Sequence, residues 1–154
     1  DQIKIGASGK VAGGADIVMR MIQGADYTNS ARAMMMATGC IQAQRCHTGE
    51  CPTGVATQDP RRNRAIVVED KSKAVYNFHK TTVSTAVRLM ASMGVADPSE
   101  LRPDMLRRNI SPTESRSYAS IYEWLRAGQL LEDAPSAWAP DWKAASPDTF
   151  RPVA

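Results

Sequence analysis

Three cysteines lie on one short segment of this chain, and the other 151 positions contain none. Cys40, Cys46 and Cys51 are separated by five and by four residues, and the segment from 39 to 60 that holds them also contains three glycines and two prolines. Because glycine and proline favour tight turns, the three thiols can converge on one place. An odd number of closely spaced thiols indicates a metal or cluster site in a reducing compartment rather than a disulfide framework.

The cysteine spacing is compatible with three interpretations. Thiolates are ligands for iron–sulfur clusters, zinc or copper, and three of them favour a three-iron cluster or a four-iron cluster with an outside ligand. The second interpretation is a zinc site formed by the three cysteines and His47. His47 directly follows Cys46, however, and the usual spacing of zinc-binding cysteine pairs is absent. In the third, the cysteines are small buried hydrophobic residues without a ligand. Spacing alone leaves all three open.

Two strand–loop–helix units precede the cysteines. Each consists of a strand-like segment, a turn of small or polar residues and a helical run, and the second run is rich in methionine. The strands, turns and helical runs fall at 3–5, 6–14, 16–23, 25–28, 29–32 and 33–38. Successive units of this length predict a parallel α/β architecture, in which the loops after the strands bind ligands. A chain that starts on a strand also indicates the C-terminal part of a longer protein.

The glycine-rich turn of the first unit is either a tight turn or an anion site. Backbone N–H groups from Ser8 to Lys10, with the N-terminus of the following helix, could hold a phosphate, and Arg32 from the second turn would complete the site. The glycine pattern alone is weak support for this interpretation. Two adjacent loops with such groups at the same end of a parallel sheet strengthen it.

The rest of the chain is predicted to be mainly helical. A long amphipathic helix is predicted at 70–93, and its apolar positions lie on one face: Val75, Phe78, Thr82, Ala86, Leu89 and Met93. A short helix is predicted to begin at 97–100 and a further one to span 117–127. Residues 133–154 are predicted to be an extended tail anchored by aromatic side chains.

Composition excludes several classes of partner. The net charge of +3 is mild, and the short arginine clusters at 61–64 and 107–108 are not interleaved with aromatic residues, so nucleic-acid binding is not expected. No apolar run approaches the roughly 20 residues that a membrane helix needs. We therefore expect a soluble, cytoplasmic protein.

The chain resembles the FMN-binding synthase domain of glutamate synthase, and more closely the stand-alone FMN-binding glutamate synthase family proteins. The segments that carry the resemblance are IGASGK at 5–10, Asp16, GAD at 24–26, NSAR at 29–32 and GCIQAQRCHTGECPTGVATQDP at 39–60. The cysteine segment is the specific part of the match, and the resemblance extends over nearly the whole chain.

The resemblance implies a (β/α)8 barrel of which this chain supplies the last two strand–helix units. Residues 1–64 would be the end of the FMN-binding barrel, 65–132 a helical extension and 133–154 the extended tail. It also implies cofactor ligands, namely Cys40, Cys46 and Cys51 for a [3Fe–4S] cluster and Ser8, Gly9, Lys10, Ala31 and Arg32 for the FMN phosphate.

The implied activity is that of an oxidoreductase acting on CH–NH2 donors. In the family, a donor such as ferredoxin or a reductase subunit reduces the cluster, the cluster reduces FMN, and FMN reduces the imine formed from 2-oxoglutarate and ammonia to glutamate. The ammonia is free or derived from glutamine. The substrate-binding residues of the family lie on earlier strands, so no catalytic side chain is assigned here, and the isolated fragment is expected to be inactive.

A second hypothesis is a small interaction module, stabilised by zinc or by its thiols, that has no catalytic activity. The self-contained cysteine segment and the amphipathic helix that follows it motivate this alternative. Under this hypothesis, the occurrence of the glycine turn, Arg32 and the cysteine segment in the order found in the barrel would be a coincidence.

Overall fold

The computed structural model describes residues 3–151. Its strands are β1 (Gly6–Ser8), β2 (Tyr27–Asn29), β3 (Arg107–Ser111) and β4 (Glu114–Ser117). Its helices are α1 (Gly14–Ile22), α2 (Arg32–Ala37), α3 (Pro60–Asn63), α4 (Val68–Ser92), α5 (Tyr118–Ile121), α6 (Gln129–Glu132) and α7 (Ala139–Ala144). Single 3-10 turns occur at Cys46–Thr48, Pro98–Glu100 and Pro103–Met105. No helix within the described range is both long and apolar enough to cross a membrane.

Strands β1 and β2 pair in parallel, with Gly6 opposite Tyr27 and Ser8 opposite Asn29. The parallel pairing is as the sequence predicts, but the first strand was wrongly placed at 3–5. The reason is Asp26: its carboxylate accepts the backbone N–H of Ile5 at 2.8 Å, and its own N–H donates to the Ile5 carbonyl at 2.8 Å. The Ile5 carbonyl also accepts the N–H of Tyr27 at 3.3 Å, but its N–H is occupied by the Asp26 carboxylate, so the pairing between strands begins only at Gly6. The complete barrel stays a prediction.

The core forms where α1 packs on α4. Its buried residues come from both helices and from the turn after α4: Val18, Ile22, Ala86, Met90 and Val95. The helices approach closely at Gly14, where an added Cβ would lie 2.8 Å from the carbonyl oxygen of Thr82 and against the backbone nitrogen of Ala86. Gly14 therefore serves helix packing rather than the turn before it.

Helix α4 shows the predicted amphipathic face. Val75, Phe78, Thr82, Leu89 and Met93 are half-buried and Ala86 is buried, whereas Val68 and Tyr76 on other faces are exposed. The helix begins two residues before the predicted start. This part of the pattern could be interpreted correctly because apolar spacing along one helix is a local property.

The region after α4 differs most from the prediction. The helix predicted over 117–127 is confined to α5, because the backbone is extended at Tyr122 (φ −116, ψ 149) and the Trp124 indole N–H donates to the carbonyl of Tyr118 at 2.9 Å. An unpredicted antiparallel hairpin, β3 and β4, precedes it and is exposed along nearly its whole length. The tail predicted to be extended over 133–154 contains the short helix α7, and its residues 152–154 lie outside the described range.

Candidate functional site

An open cleft lies at the carboxyl ends of the parallel strands. It has a volume of about 450 Å³ and is lined by the two loops that follow β1 and β2. All five predicted phosphate-binding residues contribute to its wall: Ser8, Gly9, Lys10, Ala31 and Arg32. Asn29 and Met36 also line it, and sequence reasoning did not assign them as site residues, although Asn29 lies within the turn that it singled out. The structure therefore brings the predicted anion-binding residues together.

The two loops of the cleft are tied to each other. The Ser30 hydroxyl, in the loop after β2, donates to the backbone carbonyl of Val11, in the loop after β1, at 2.8 Å. Lys10 and Arg32 are both exposed at this cleft, and neither forms an ion pair with any residue in the range that the structure describes. Two cations and the backbone N–H groups of the turn make this cleft suited to an anion such as a phosphate.

No residue of α1 is among those that line the cleft. Asp16 accepts the backbone N–H groups of Ala12 and Gly13 at 3.0 and 2.9 Å, so two donors at this end are already used. The Asp16 carboxylate would also repel a phosphate placed beside it. The donors that line the cleft are those of the turn, including the Lys10 ammonium, and those of Arg32.

The three cysteines line one small concavity with a volume of about 10 Å³. Cys40 follows α2, Cys46 begins a 3-10 turn and Cys51 lies three residues after that turn, and all three are free thiols. The remaining wall is largely apolar and includes Met35 and Pro52. Within residues 3–151, no three His, Cys, Asp or Glu side chains meet closely enough to hold a single metal ion.

The donor set fits an iron–sulfur cluster. In such a cluster the thiolates bind different iron atoms, so they need to surround a space and not to meet at one point. Cys40, Cys46 and Cys51 all line the same largely apolar concavity, which is compatible with this requirement. His47 is exposed and does not line the concavity.

Cys51 has the most strongly polarised surroundings of the three. Its sulfur lies 3.4 Å from the Thr53 hydroxyl, and the residue is 8% exposed. The Thr53 hydroxyl, followed by the backbone N–H groups of Ala56, Thr53 and Val55, lowers the pKa of Cys51 to about 7. Donors of this kind stabilise the thiolate, which is the form that binds metals. At Cys40 the sulfur accepts one backbone N–H, that of Gln42, at 3.4 Å.

The cleft and the cysteine concavity lie on two sides of the same helix. Met36 of α2 lines the cleft, and its neighbour Met35 lines the concavity. The segment after the helix is linked back to it, since the side-chain amide of Gln42 contacts the Met36 sulfur at 3.7 Å. A single short helix therefore separates the two candidate cofactor sites.

Comparison with known proteins identifies related sequences. The model of the conserved region in glutamate synthase matches residues 1–96. The glutamate synthase large subunit-like protein YerD of Bacillus subtilis is 42% identical over 97 residues, which are 63% of this chain and 18% of the relative. The archaeal NADPH glutamate synthase of Methanocaldococcus jannaschii is 32% identical over 102 residues, 66% of this chain and 20% of the relative.

A third relative is the ferredoxin-dependent glutamate synthase of Pyropia yezoensis, which is 35% identical over 94 residues, 61% of this chain and 6% of the relative. The chain thus spans no more than about a fifth of the length of these relatives.

Proposed function

The chain belongs to the glutamate synthase family, and from this premise we propose that it is part of a flavin and iron–sulfur oxidoreductase that forms glutamate from 2-oxoglutarate. Within that enzyme, this chain would bind the phosphate end of FMN and a [3Fe–4S] cluster close to each other. The observation that carries the proposal is the position of the two candidate sites on either side of α2.

The cleft would hold the FMN phosphate. Ser8, Gly9 and Lys10 would offer backbone N–H groups and a cation from one side, and Ala31 and Arg32 would close the other side. Arginine suits this role because its planar guanidinium can donate two hydrogen bonds to one phosphate. Bound FMN would supply the hydride for the reaction, while the chain fixes its position.

The concavity would hold the cluster. Cys40, Cys46 and Cys51 would provide the thiolates, and the hydrogen bonds around Cys51 would stabilise its charge. The apolar wall that includes Met35 would limit the access of water.

The electron donor is proposed from the relatives. Some are named as ferredoxin-dependent and others as NADH or NADPH enzymes, so a ferredoxin or a reductase subunit would supply electrons to this chain. The substrates would be 2-oxoglutarate and ammonia, free or derived from glutamine. We place the complete enzyme in the cytoplasm.

The test is metal analysis of the complete natural polypeptide that carries this chain, purified without oxygen. We expect roughly three irons with matching sulfide per chain and the electron paramagnetic resonance signal of an oxidised three-iron cluster. Zinc near one per chain without iron would refute the cluster and support the zinc-stabilised interaction module instead.

Two neighbouring variants sharpen this test. Cys46→Ser should lose most of the iron and keep the flavin, because the cleft proposed to hold the FMN phosphate (the anion cleft) is lined by other residues. His47→Ala is the matched control, and it should keep both. A full iron content in Cys46→Ser would remove Cys46 from the ligand set.

A further inference from the structure

The turn after β1 has an unusual backbone conformation. Gly9 has φ of 98° and Lys10 has φ of 56°, so two successive residues adopt positive φ. For a residue with a side chain, such as Lys10, this conformation is uncommon and persists only where surrounding contacts enforce it.

A side chain from α1 provides such a contact. One guanidinium nitrogen of Arg20, Nη2, donates to the backbone carbonyl of Gly9 at 3.1 Å. The other, Nη1, donates to the side-chain oxygen of Gln23 at 2.9 Å, which holds the guanidinium in place. Arg20 therefore binds the turn from the side of the helix, and it is not among the residues that line the cleft.

The direction of this hydrogen bond determines where the next N–H points. No peptide bond in the described range is cis, so the carbonyl of Gly9 and the N–H of Lys10 belong to one trans peptide and point in opposite directions. With the carbonyl held by Arg20, the N–H of Lys10 points away from α1. No residue in the described range accepts that N–H, and Lys10 itself lines the cleft.

We propose that Arg20 is a positioning residue for the anion cleft: it holds the Gly9 carbonyl so that the Lys10 N–H is presented to the phosphate of the flavin. Arg20 makes no contact with the ligand in this scheme. The proposal rests on the proposed function, in which this cleft binds the FMN phosphate.

The experiment compares two flavins that differ only in the phosphate. Dissociation constants of FMN and riboflavin are measured by fluorescence quenching on the flavin-free complete polypeptide, for wild type, Arg20→Met, Arg20→Lys and Arg88→Met. Arg88 is an exposed arginine on α4 that matches the charge change. Circular dichroism checks that each variant is folded.

We expect Arg20→Met to bind FMN roughly tenfold more weakly and riboflavin unchanged, because only the phosphate contact is affected. Arg20→Lys keeps the charge and one donor but cannot reach Gly9 and Gln23 together, so it should recover the affinity only in part. Arg88→Met should behave as wild type.

Two results would overturn the proposal: unchanged FMN affinity in Arg20→Met, or an equal loss of affinity for both flavins. A wild-type protein that binds FMN and riboflavin equally would instead refute the phosphate site itself, and with it the proposed function of the cleft.

Discussion

At the scale of single residues, hydrogen-bond donors around the candidate ligands matter as much as the ligands. Cys51 is surrounded by the Thr53 hydroxyl and three backbone N–H groups, and together they lower the pKa of its thiol to about 7. The same donors would withdraw charge from a metal-bound sulfur. We therefore expect Thr53 to influence the reduction potential of the proposed cluster.

Replacement of Thr53 by valine tests this role. Thr53→Val keeps the shape of the side chain and removes its hydroxyl, so the reduction potential of the cluster should fall by on the order of tens of millivolts, because the oxidised, less negative form depends less on the donors. Redox titration followed by electron paramagnetic resonance measures it. Thr57→Val is the control, since its hydroxyl donates to Gly49 and not to a cysteine. Equal potentials in Thr53→Val and wild type would contradict the expectation.

Asp26 provides a pH-dependent contribution to stability. The backbone N–H of Ile5, and then Lys4, lower the pKa of its carboxyl below the usual value. A lowered folded-state pKa means that the stabilising effect is complete above the ordinary value near 4 and is lost as the pH falls through the folded-state pKa.

Carbon NMR of labelled aspartate carboxyls measures this titration, and the signal missing in Asp26→Asn identifies the residue. We expect a midpoint below that of unperturbed aspartates. A midpoint at or above the ordinary value would show that the Ile5 contact does not persist in solution.

At the scale of secondary-structure elements, two helices organise the chain. Helix α1 packs on α4 and carries Asp16 and Arg20, which both bind the turn after β1. Helix α2 separates the anion cleft from the cysteine concavity through Met35 and Met36. Both candidate sites therefore depend on how α1 and α2 lie against the rest of the chain.

Gly14→Ala tests the contact between α1 and α4. An added methyl group would meet backbone atoms of α4 that cannot move independently, so we expect a loss of about 1–3 kcal/mol in the local packing, despite the better helix propensity of alanine. Faster hydrogen exchange of the α1 amides would report it. Gly13→Ala is the neighbouring control, because the nearest atom to its added Cβ is the Asp16 carboxylate oxygen at 3.9 Å. Equal exchange in the two variants would contradict the proposed close approach.

At the scale of the whole molecule, the chain buries little and exposes much that is apolar. The buried cluster contains five residues, whereas large apolar side chains remain exposed at both ends of the described range and along α4: Ile3, Ile5, Val68, Tyr76, Val87 and Phe150. Two parallel strands also leave two unpaired edges. Such a surface indicates that this region is stable mainly in contact with other protein.

We therefore expect these 154 residues, produced alone and without metal, to unfold without a sharp thermal transition. They should also bind a hydrophobic fluorescent dye strongly, because their apolar surface is uncovered. Circular dichroism and dye fluorescence, compared with the complete polypeptide, measure both effects. A cooperative transition with little dye binding would show that the isolated chain is a stable domain.

The prediction that depended on local spacing along α4 was correct, whereas those that depended on a distant contact or on exposed strands were not. The face of α4 was predicted correctly because Val75, Phe78 and Ala86 follow a local spacing. The position of β1 was wrong because Asp26, twenty-one residues away, occupies the N–H of Ile5. The sequence does not predict the hairpin of β3 and β4, because both strands are exposed and lack alternating apolar residues.

The chemistry of the candidate sites was present in the residue types alone. Cys40, Cys46 and Cys51 are suited to iron, and Lys10 and Arg32 to an anion, because thiolates and cations have these preferences in any fold. Family membership follows from the same local segments.

The residue types alone could not show how these groups are positioned relative to one another. In the folded chain, the cleft and the concavity lie on either side of α2. The Asp16 carboxylate accepts the N–H of Ala12, and Arg20 donates to the Gly9 carbonyl. These contacts depend on the packing of α1 against α4 and on the pairing of β1 with β2, and interactions between distant segments leave no periodic signal in a single sequence.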